Sequence, residues 1–292
     1  MDYRLEVFSR VAEHQSISAA ARVLNISQPA VTRHIKMLEE NYQATLLTRS
    51  RSGVALTEAG VVLLEHARQV AWMEDEVMAK IRKDDSILRG RLRLGASTTV
   101  TQYYLPNVLT SFKKRHPEVE IEVVEGNTDA VISHLLGQRI DLGLIEGPCS
   151  RRDLRVRRFF DDLLVFIVPV GHPLARPKPV PPSELLKYPI ISREHGSGTR
   201  RYIESALNAV GLDPRKRRIV QELPSTEAIK RAVEAGLGVG CVSRIAITQE
   251  LATASLDIAN IKGLEIRRPF SAILPLGPDP VGLRQIFLSA LS

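Results

Sequence analysis

Residues 16–39 read SISAAARVLNISQPAVTRHIKMLE, and this stretch decides the fold of the N-terminal part of the chain. Ser18 is placed to cap a helix over Ala19–Leu24, where three consecutive alanines let a neighbouring helix approach closely. Asn25 and Ile26 make a short turn, because Asn tolerates the left-handed conformation. Ser27 caps the next helix, with Pro29 in its first turn, where a missing N–H costs nothing. Val31, Ile35 and Leu38 recur at helical spacing as a buried stripe, and Thr32, Arg33 and Lys36 fall on the opposite side. Two helices joined by a short turn, the second with a polar and basic outer face, make a helix-turn-helix, whose second helix enters the DNA major groove.

Working outward, Leu5, Phe8, Val11 and Ala12 predict a preceding helix that Gln15 and Ser16 interrupt. Downstream, Leu46-Leu47, a polar stretch from Thr48 to Gly53, and Val54-Ala55-Leu56 predict a small β-hairpin wing. Thr57-Glu58-Ala59-Gly60 opens a long helix over 57–83. Leu63, Val70 and Val77 lie seven apart in it, flanked by Ala67, Met73 and Ile81. That spacing predicts a short coiled-coil seam and a homodimer, with a helix lying on its own domain as the alternative. Asp84-Asp85-Ser86 breaks the periodicity, so 84–90 reads as a hinge between a DNA-binding domain over 1–60 and a domain over 91–292.

Beyond the hinge, strands and helices alternate. Strands are expected at Arg91–Gly95, Val119–Val124 and Leu142–Ile145, with helices at Gln102–His116 and Asp129–Leu136 between them. This order implies a parallel sheet with right-handed crossovers. A second group follows, with strands at Leu163–Val168, Pro189–Ile191 and Val239–Val242 and helices at Thr199–Val210 and Thr226–Ala235. Ile266–Pro275 returns as a strand and Leu283–Leu291 closes as a helix. The reading is therefore α/β with two lobes, the first over 91–162 and 266–292 and the second over 163–265.

The composition excludes several classes. With 44% apolar and 25% charged residues the chain has an ordinary globular make-up. No apolar run reaches membrane-spanning length, and Met1-Asp2-Tyr3-Arg4 leads directly into an amphipathic pattern, so neither membrane nor secretory leader is expected and the setting is cytoplasmic. Cys149 and Cys241 lie far apart, and no Cys/His cluster has zinc spacing, so no metal or cofactor is implied. The net charge of +7 favours polyanionic partners. It is not concentrated at the N-terminus, where residues 1–83 carry 11 Lys/Arg against 10 Asp/Glu. Arg151-Arg152 with Arg157-Arg158, and Arg215–Arg218, hold much of the excess as solvated loops or as contacts for an acidic ligand or DNA. Gly236-Leu-Gly-Val-Gly240 follows a helix and precedes a strand, the reverse of a dinucleotide site, and reads as a helix stop and tight turn. Gly196-Ser197-Gly198 lacks the spacing of a hydrolase elbow, and no enzyme is expected.

The run Phe8, Val11-Ala12-Glu13, Ser16, Ala19-Ala20, Leu24, Ser27–Thr32, Ile35, Leu38-Glu39, Leu46, Arg49 and Leu56–Gly60 closely resembles the winged helix-turn-helix of LysR-type transcriptional regulators. The later order of elements resembles that family's effector domain, which is similar to a two-lobed periplasmic binding protein. The resemblance implies a DNA-binding regulator that recognises a double-stranded operator as a homodimer or homotetramer, with RNA polymerase a candidate partner. Their shared outer face assigns base reading to Gln28, Thr32 and Arg33 and phosphate contact to Lys36, Arg49 and Arg51, with Ser27 and Pro29 beside them in the DNA-binding set. Tyr42-Gln43, Leu47 and Ser52 depart from the usual family residues, which leaves the wing residue that enters the minor groove open. The Gly196–Arg200 run looks like the branch linked to sulfur assimilation and carbon fixation.

The effector site has a physical argument beside the resemblance. Ser97-Thr98-Thr99 follows the first strand at its carboxyl end, where open α/β sheets bind ligands. Ser197-Gly198-Thr199 leads into a helix in the second lobe, with Arg200 adding charge. Hydroxyls and free N–H groups at helix starts suit an anion, so two such turns facing across a cleft would hold a small anionic effector. The alternative is that Ser197 and Thr199 only cap their helix.

Overall fold

The computed structural model describes residues 2–50, 53–81, 88, 90–213, 216–277 and 282–291. Arg51, Lys83, Arg215 and most of the expected hinge lie outside the described residues, as do the side chains of Arg49, Met73 and Ile81. The chain divides into two compact units, 1–85 and 86–292.

In the first unit α1 (Tyr3–His14), α2 (Ile17–Leu24) and α3 (Gln28–Tyr42) surround one apolar core with Val7, Phe8, Val11, Ala20 and Val31 fully enclosed. The cap of α2 is Ser16, not Ser18. Its hydroxyl accepts from the Ala19 amide at 3.2 Å, so the helix starts two residues earlier than expected. Gln15 and Asn25, both at positive φ, end α1 and α2. The wing is an antiparallel pair, β1 (Leu47–Ser50) and β2 (Gly53–Leu56). Thr57 caps α4 (Glu58–Ile81) by accepting from the Gly60 amide at 2.9 Å. Leu63, Leu64 and Ala67 of α4 pack into the domain's own core, so the first position of the expected seam is not free; Val70 is half-buried and Val77 is 52% exposed.

In the second unit β3 (Gly90–Ser97) pairs in parallel with β4 (Val119–Gly126) and β5 (Leu142–Ile145). The sheet is not parallel throughout. β11 (Ile266–Pro275) lies antiparallel to β5 and to β6 (Leu154–Pro169), and β9 (Gly240–Ser243) and β10 (Leu256–Ile258) lie antiparallel to β6. The order is β10-β6-β11-β5-β3-β4, with β9 also on β6. β6, 16 residues long, and β11 run through both halves, and a register shift at Phe270/Ser271 marks the passage from one to the other. β7 (Ile190–Arg193) and β8 (Ile219–Leu223) form a separate parallel pair that an isolated bridge, Ile190 to Val239, ties to the segment before β9.

Helices cover the sheet on both faces. α5 (Leu105–Arg115) and α10 (Leu283–Ser289) enclose Phe112, Phe270 and Phe287, and α6 (Thr128–Leu136) covers Val131, Ile145 and Ile273. A π-helical turn, Val100–Tyr104, precedes α5. In the second lobe α7 (Gly198–Ala209) and α8 (Thr226–Glu234) pack over Leu207, Ile229 and Val233, and a short α9 (Thr248–Ala252) precedes β10. Apolar runs at the strand centres therefore put the polar strand ends at the junction of the lobes, the position that open α/β sheets use for ligands.

Candidate functional site

The first candidate surface is the outer face of α3. Ser27 accepts from the Ala30 amide at 3.3 Å, so its hydroxyl fixes the helix start. Ser27, Gln28, Pro29, Thr32, Arg33 and Lys36 are all exposed, opposite buried Val31, Ile35 and Leu38. The Thr32 hydroxyl donates to the Gln28 carbonyl at 3.0 Å. Lys36 lies 3.9 Å from Glu40, but both are well exposed, so this pair holds the ammonium weakly. Glu39 ties the recognition helix to the wing: its Oε1 accepts from the Leu46 amide at 2.8 Å and the Leu47 amide at 3.4 Å. At the other end of the wing the Val54 amide donates to the Gln15 carbonyl at 3.0 Å. Gly53, at φ 137°, allows this close approach.

The second site lies at the lobe junction of the C-terminal unit, where both expected turns make contacts of their own. Thr99, two residues past the end of β3, faces Thr226 at the start of α8, hydroxyl to hydroxyl at 3.4 Å. Ser97 and Thr98 are buried beside it. The turn Ser197-Gly198-Thr199 faces a different part of the first lobe. Asn127 donates to the His195 carbonyl at 3.2 Å, and a Cβ on Gly147 would fall 2.6 Å from the Gly198 Cα and 2.5 Å from the Thr128 hydroxyl. Ser197 caps α7 by accepting from the Arg200 amide at 3.4 Å. Arg200 turns away from the junction and bonds Glu204, Glu222 and the Arg193 carbonyl.

Against the Thr199 turn lies a buried ionic cluster that sequence reasoning missed. Arg268, on β11, donates from Nε to Asp162 at 2.7 Å and from Nη1 to the Thr199 hydroxyl at 2.7 Å. Thr199 in turn donates to Glu146 Oε1 at 2.9 Å. Asp162 also accepts from Ser243 at 2.5 Å. Arg193, at the end of β7, holds Glu194 and the Pro224 carbonyl and points Nη1 toward Glu146 at 3.9 Å. Burial pushes the Asp162 carboxyl above the usual range, although Arg268 and Ser243 pull it the other way. Five buried atoms here have no hydrogen-bond partner among the described residues: Ser97 Oγ, Thr128 Oγ1, Glu146 Oε2, Arg193 Nη1 and Arg268 Nη2. One sequence signal existed. Arg268 falls in a largely apolar strand, and a charge in a core strand needs a buried partner.

A further polar group bridges the lobes. The Tyr103 hydroxyl donates to Glu227, and Lys230 reaches Glu227 at 2.6 Å, Glu250 at 2.7 Å and the Ala246 carbonyl at 2.8 Å. Burial pushes the Glu227 carboxyl up, but its bonds from Lys230 and Tyr103 bring it below the ordinary value. Cys241 is buried and its thiol is pushed well up; Cys149 and Cys241 are both free. Among the described residues, no group of three His, Cys, Asp or Glu could hold a metal, and no helix is long and apolar enough to cross a membrane.

Residues 3–61 match the family described as bacterial regulatory helix-turn-helix protein, lysR family, and residues 86–282 match the LysR substrate binding domain. The chain belongs to the LysR family. It is 32% identical over 287 residues to the HTH-type transcriptional regulator CysL of Bacillus subtilis, covering 98% of this chain and 95% of that protein. It is 34% identical to a probable RuBisCO transcriptional regulator of Synechocystis, covering 93% and 79%. Among solved structures, the Synechocystis CcmR regulatory domain in complex with 2-PG matches 70% of this chain and 96% of its own, at 31% identity and a TM-score of 0.64. A full-length OxyR variant from Pseudomonas aeruginosa shares the fold over 99% of this chain and 94% of its own, at a TM-score of 0.76 and 19% identity. The protein is thus a LysR-type transcriptional regulator with an N-terminal helix-turn-helix and a C-terminal effector-binding domain, and its named relatives are regulators rather than enzymes.

Proposed function

We propose that this regulator binds a small anionic metabolite at the lobe junction and that binding changes its action on operator DNA. The carrying observation is the pair of buried guanidinium groups, Arg193 from the second lobe and Arg268 from a strand crossing both lobes, each with one nitrogen that has no hydrogen-bond partner among the described residues. Unpaired buried donors are costly, and an oxyanion satisfies several at once. Ser97, Thr98, Thr99 and Thr128 supply hydroxyls from the first lobe; Ser197, Gly198 and Thr199 shape the second wall. The CcmR domain that holds 2-PG, a small anion, supports the class of ligand.

In this reading Gln28, Thr32 and Arg33 read base edges, Lys36, Arg49 and Arg51 contact phosphates, and Ser27 and Pro29 set the helix start. Two chains pair through the C-terminal half of α4, in the cytoplasm, and the effector shifts the lobes and so the spacing of the DNA-binding heads. Calorimetry of the full chain with sulfate, phosphate, sulfite, acetylated amino acids and phosphorylated sugars tests the class. At least one anion binds, and Arg193→Gln abolishes its binding. Tight binding of a neutral or cationic metabolite, with every anion failing, would overturn the reading.

A further inference from the structure

We propose that the Glu146 carboxylate occupies the seat of the effector's anionic group, so that the effector binds by displacing it from Arg193 and Arg268. This rests on the anion-effector reading and adds an internal competitor to it. Glu146 follows β5 directly and is 2% exposed. One of its oxygens lies 3.9 Å from Arg193 Nη1 and the other 3.5 Å from Arg268 Nη2. Both are ion-pair distances, but neither is a directed hydrogen bond; the directed bond to Glu146 is from the Thr199 hydroxyl to Oε1, and Oε2 and the two guanidinium nitrogens have no hydrogen-bond partner among the described residues. A carboxylate built permanently into two guanidinium groups takes fork geometry near ~2.8 Å. Arg268 achieves such a distance with Asp162, and Arg193 with Glu194. Each arginine is therefore anchored through part of its fork, and each leaves one nitrogen converging on the same anionic position.

Charge balance points the same way. In the enclosed part of the cluster Glu146 and Asp162 stand against Arg193 and Arg268, and Arg193 also carries the partly exposed Glu194. An anion added beside Glu146 would deepen a buried excess of negative charge, which is expensive, whereas one that takes its seat avoids this as the Glu146 side chain swings out of the cluster. The exchange also moves a first-lobe side chain off an arginine of the second lobe. Occupancy of the seat thus acts on the lobe junction, and the competitor lowers affinity for any anion that cannot fill the position Glu146 leaves.

The test uses the full chain and two probes, inorganic phosphate and sulfate, titrated by calorimetry at constant ionic strength. Glu146→Gln keeps the side-chain shape and removes the competing charge, and it should bind about tenfold tighter or more than the wild type, the equivalent of one modest charge contact. Asp162→Asn removes the same charge from the same cluster but loosens Arg268, and it should bind no tighter. Glu146→Asp keeps the charge but cannot span both arginines, and it should tighten binding by less, which covers a Gln variant that fails to fold. Equal tightening by Glu146→Gln and Asp162→Asn would reduce the effect to general electrostatics and overturn the proposal. Wild-type binding that Arg193→Gln abolishes and Glu146→Gln leaves unchanged would overturn the competitor while sparing the anion site. Failure of every variant, Glu146→Gln included, to bind phosphate or sulfate overturns the competitor, while the anion-effector reading is decided by the wider anion series.

Discussion

Replacing Arg268 with methionine should destabilise the C-terminal unit by an amount that the cluster sets. The guanidinium is fully buried, and its loss removes two hydrogen bonds at 2.7 Å and an ion pair at 3.5 Å. Asp162 is left with Ser243, and Glu146 with Thr199 and a distant Arg193. Breaking one side of a buried ion pair costs about 3–5 kcal/mol, because the surviving charge stays uncompensated. For a unit of this size that corresponds to roughly 6–20 °C in melting temperature. The sign of the pH dependence follows from Asp162. Burial already holds its carboxyl above the ordinary value, and Arg268 is one of the groups opposing that. Without Arg268 the carboxyl moves further up, and a carboxyl with a raised folded value loses stability as pH rises from its unfolded to its folded value. The deficit should therefore be larger at about pH 7.5 than at about pH 5. Urea denaturation of both proteins, followed by far-ultraviolet circular dichroism at both pH values, reads it. A variant within about 1 kcal/mol of the wild type at the higher pH, or a deficit that shrinks as pH rises, would show that Arg268 does not hold the cluster together.

Three further outcomes are expected. Arg33→Ala should cost roughly 1–3 kcal/mol of operator affinity and relax specificity at one base pair, while Lys36→Ala should weaken all sequences alike and flatten the salt dependence, both measured by anisotropy titration. Val70→Asp, in the half-buried middle of α4, should give a smaller species in analytical ultracentrifugation; an unchanged assembly would mean that the helix packs elsewhere. Tyr103→Phe removes a bond to the Glu227 carboxylate across the lobes and should cost about 1–2 kcal/mol at neutral pH. Because Glu227 sits below its ordinary value, its contribution fades only as pH falls below about 4.5, so the difference between Tyr103→Phe and wild type should narrow there.

The helix-turn-helix was legible because its signals are local. Capping serines, a turn asparagine and a 3.6-residue stripe each act within a few residues, and even the shift of the cap from Ser18 to Ser16 concerns two hydroxyls placed alike. The strands of the second unit were legible where they are apolar. The first half of β6 was not, because Leu154-Arg-Val-Arg-Arg158 reads as a charged loop, whereas in the fold these residues pair only with β11 and leave three of the five side chains in solvent. Exposed β8 escaped for a similar reason. The effector site was half legible. Its hydroxyls stand at strand ends and helix starts, which sequence marks. Glu146, Asp162, Arg193 and Arg268 come from four distant strand ends or strands, and only the three-dimensional course of β6 and β11 brings them together. The partners of Thr99 and Gly198 were unreadable too, since the relative placement of two lobes is a long-range property.

Coupling between the anion seat and DNA is read from the operator affinity of the wild type and Arg193→Gln, measured by fluorescence anisotropy on a duplex that the protein selects from a random pool, with and without the anion that calorimetry identifies. The saturating anion should shift wild-type affinity by about fivefold or more, a coupling of about 1 kcal/mol or above, while Arg193→Gln binds the duplex as the anion-free wild type does and ignores the anion. An anion that binds the wild type and leaves its operator affinity and footprint unchanged, or that shifts Arg193→Gln equally, would contradict an effector switch at the lobe junction.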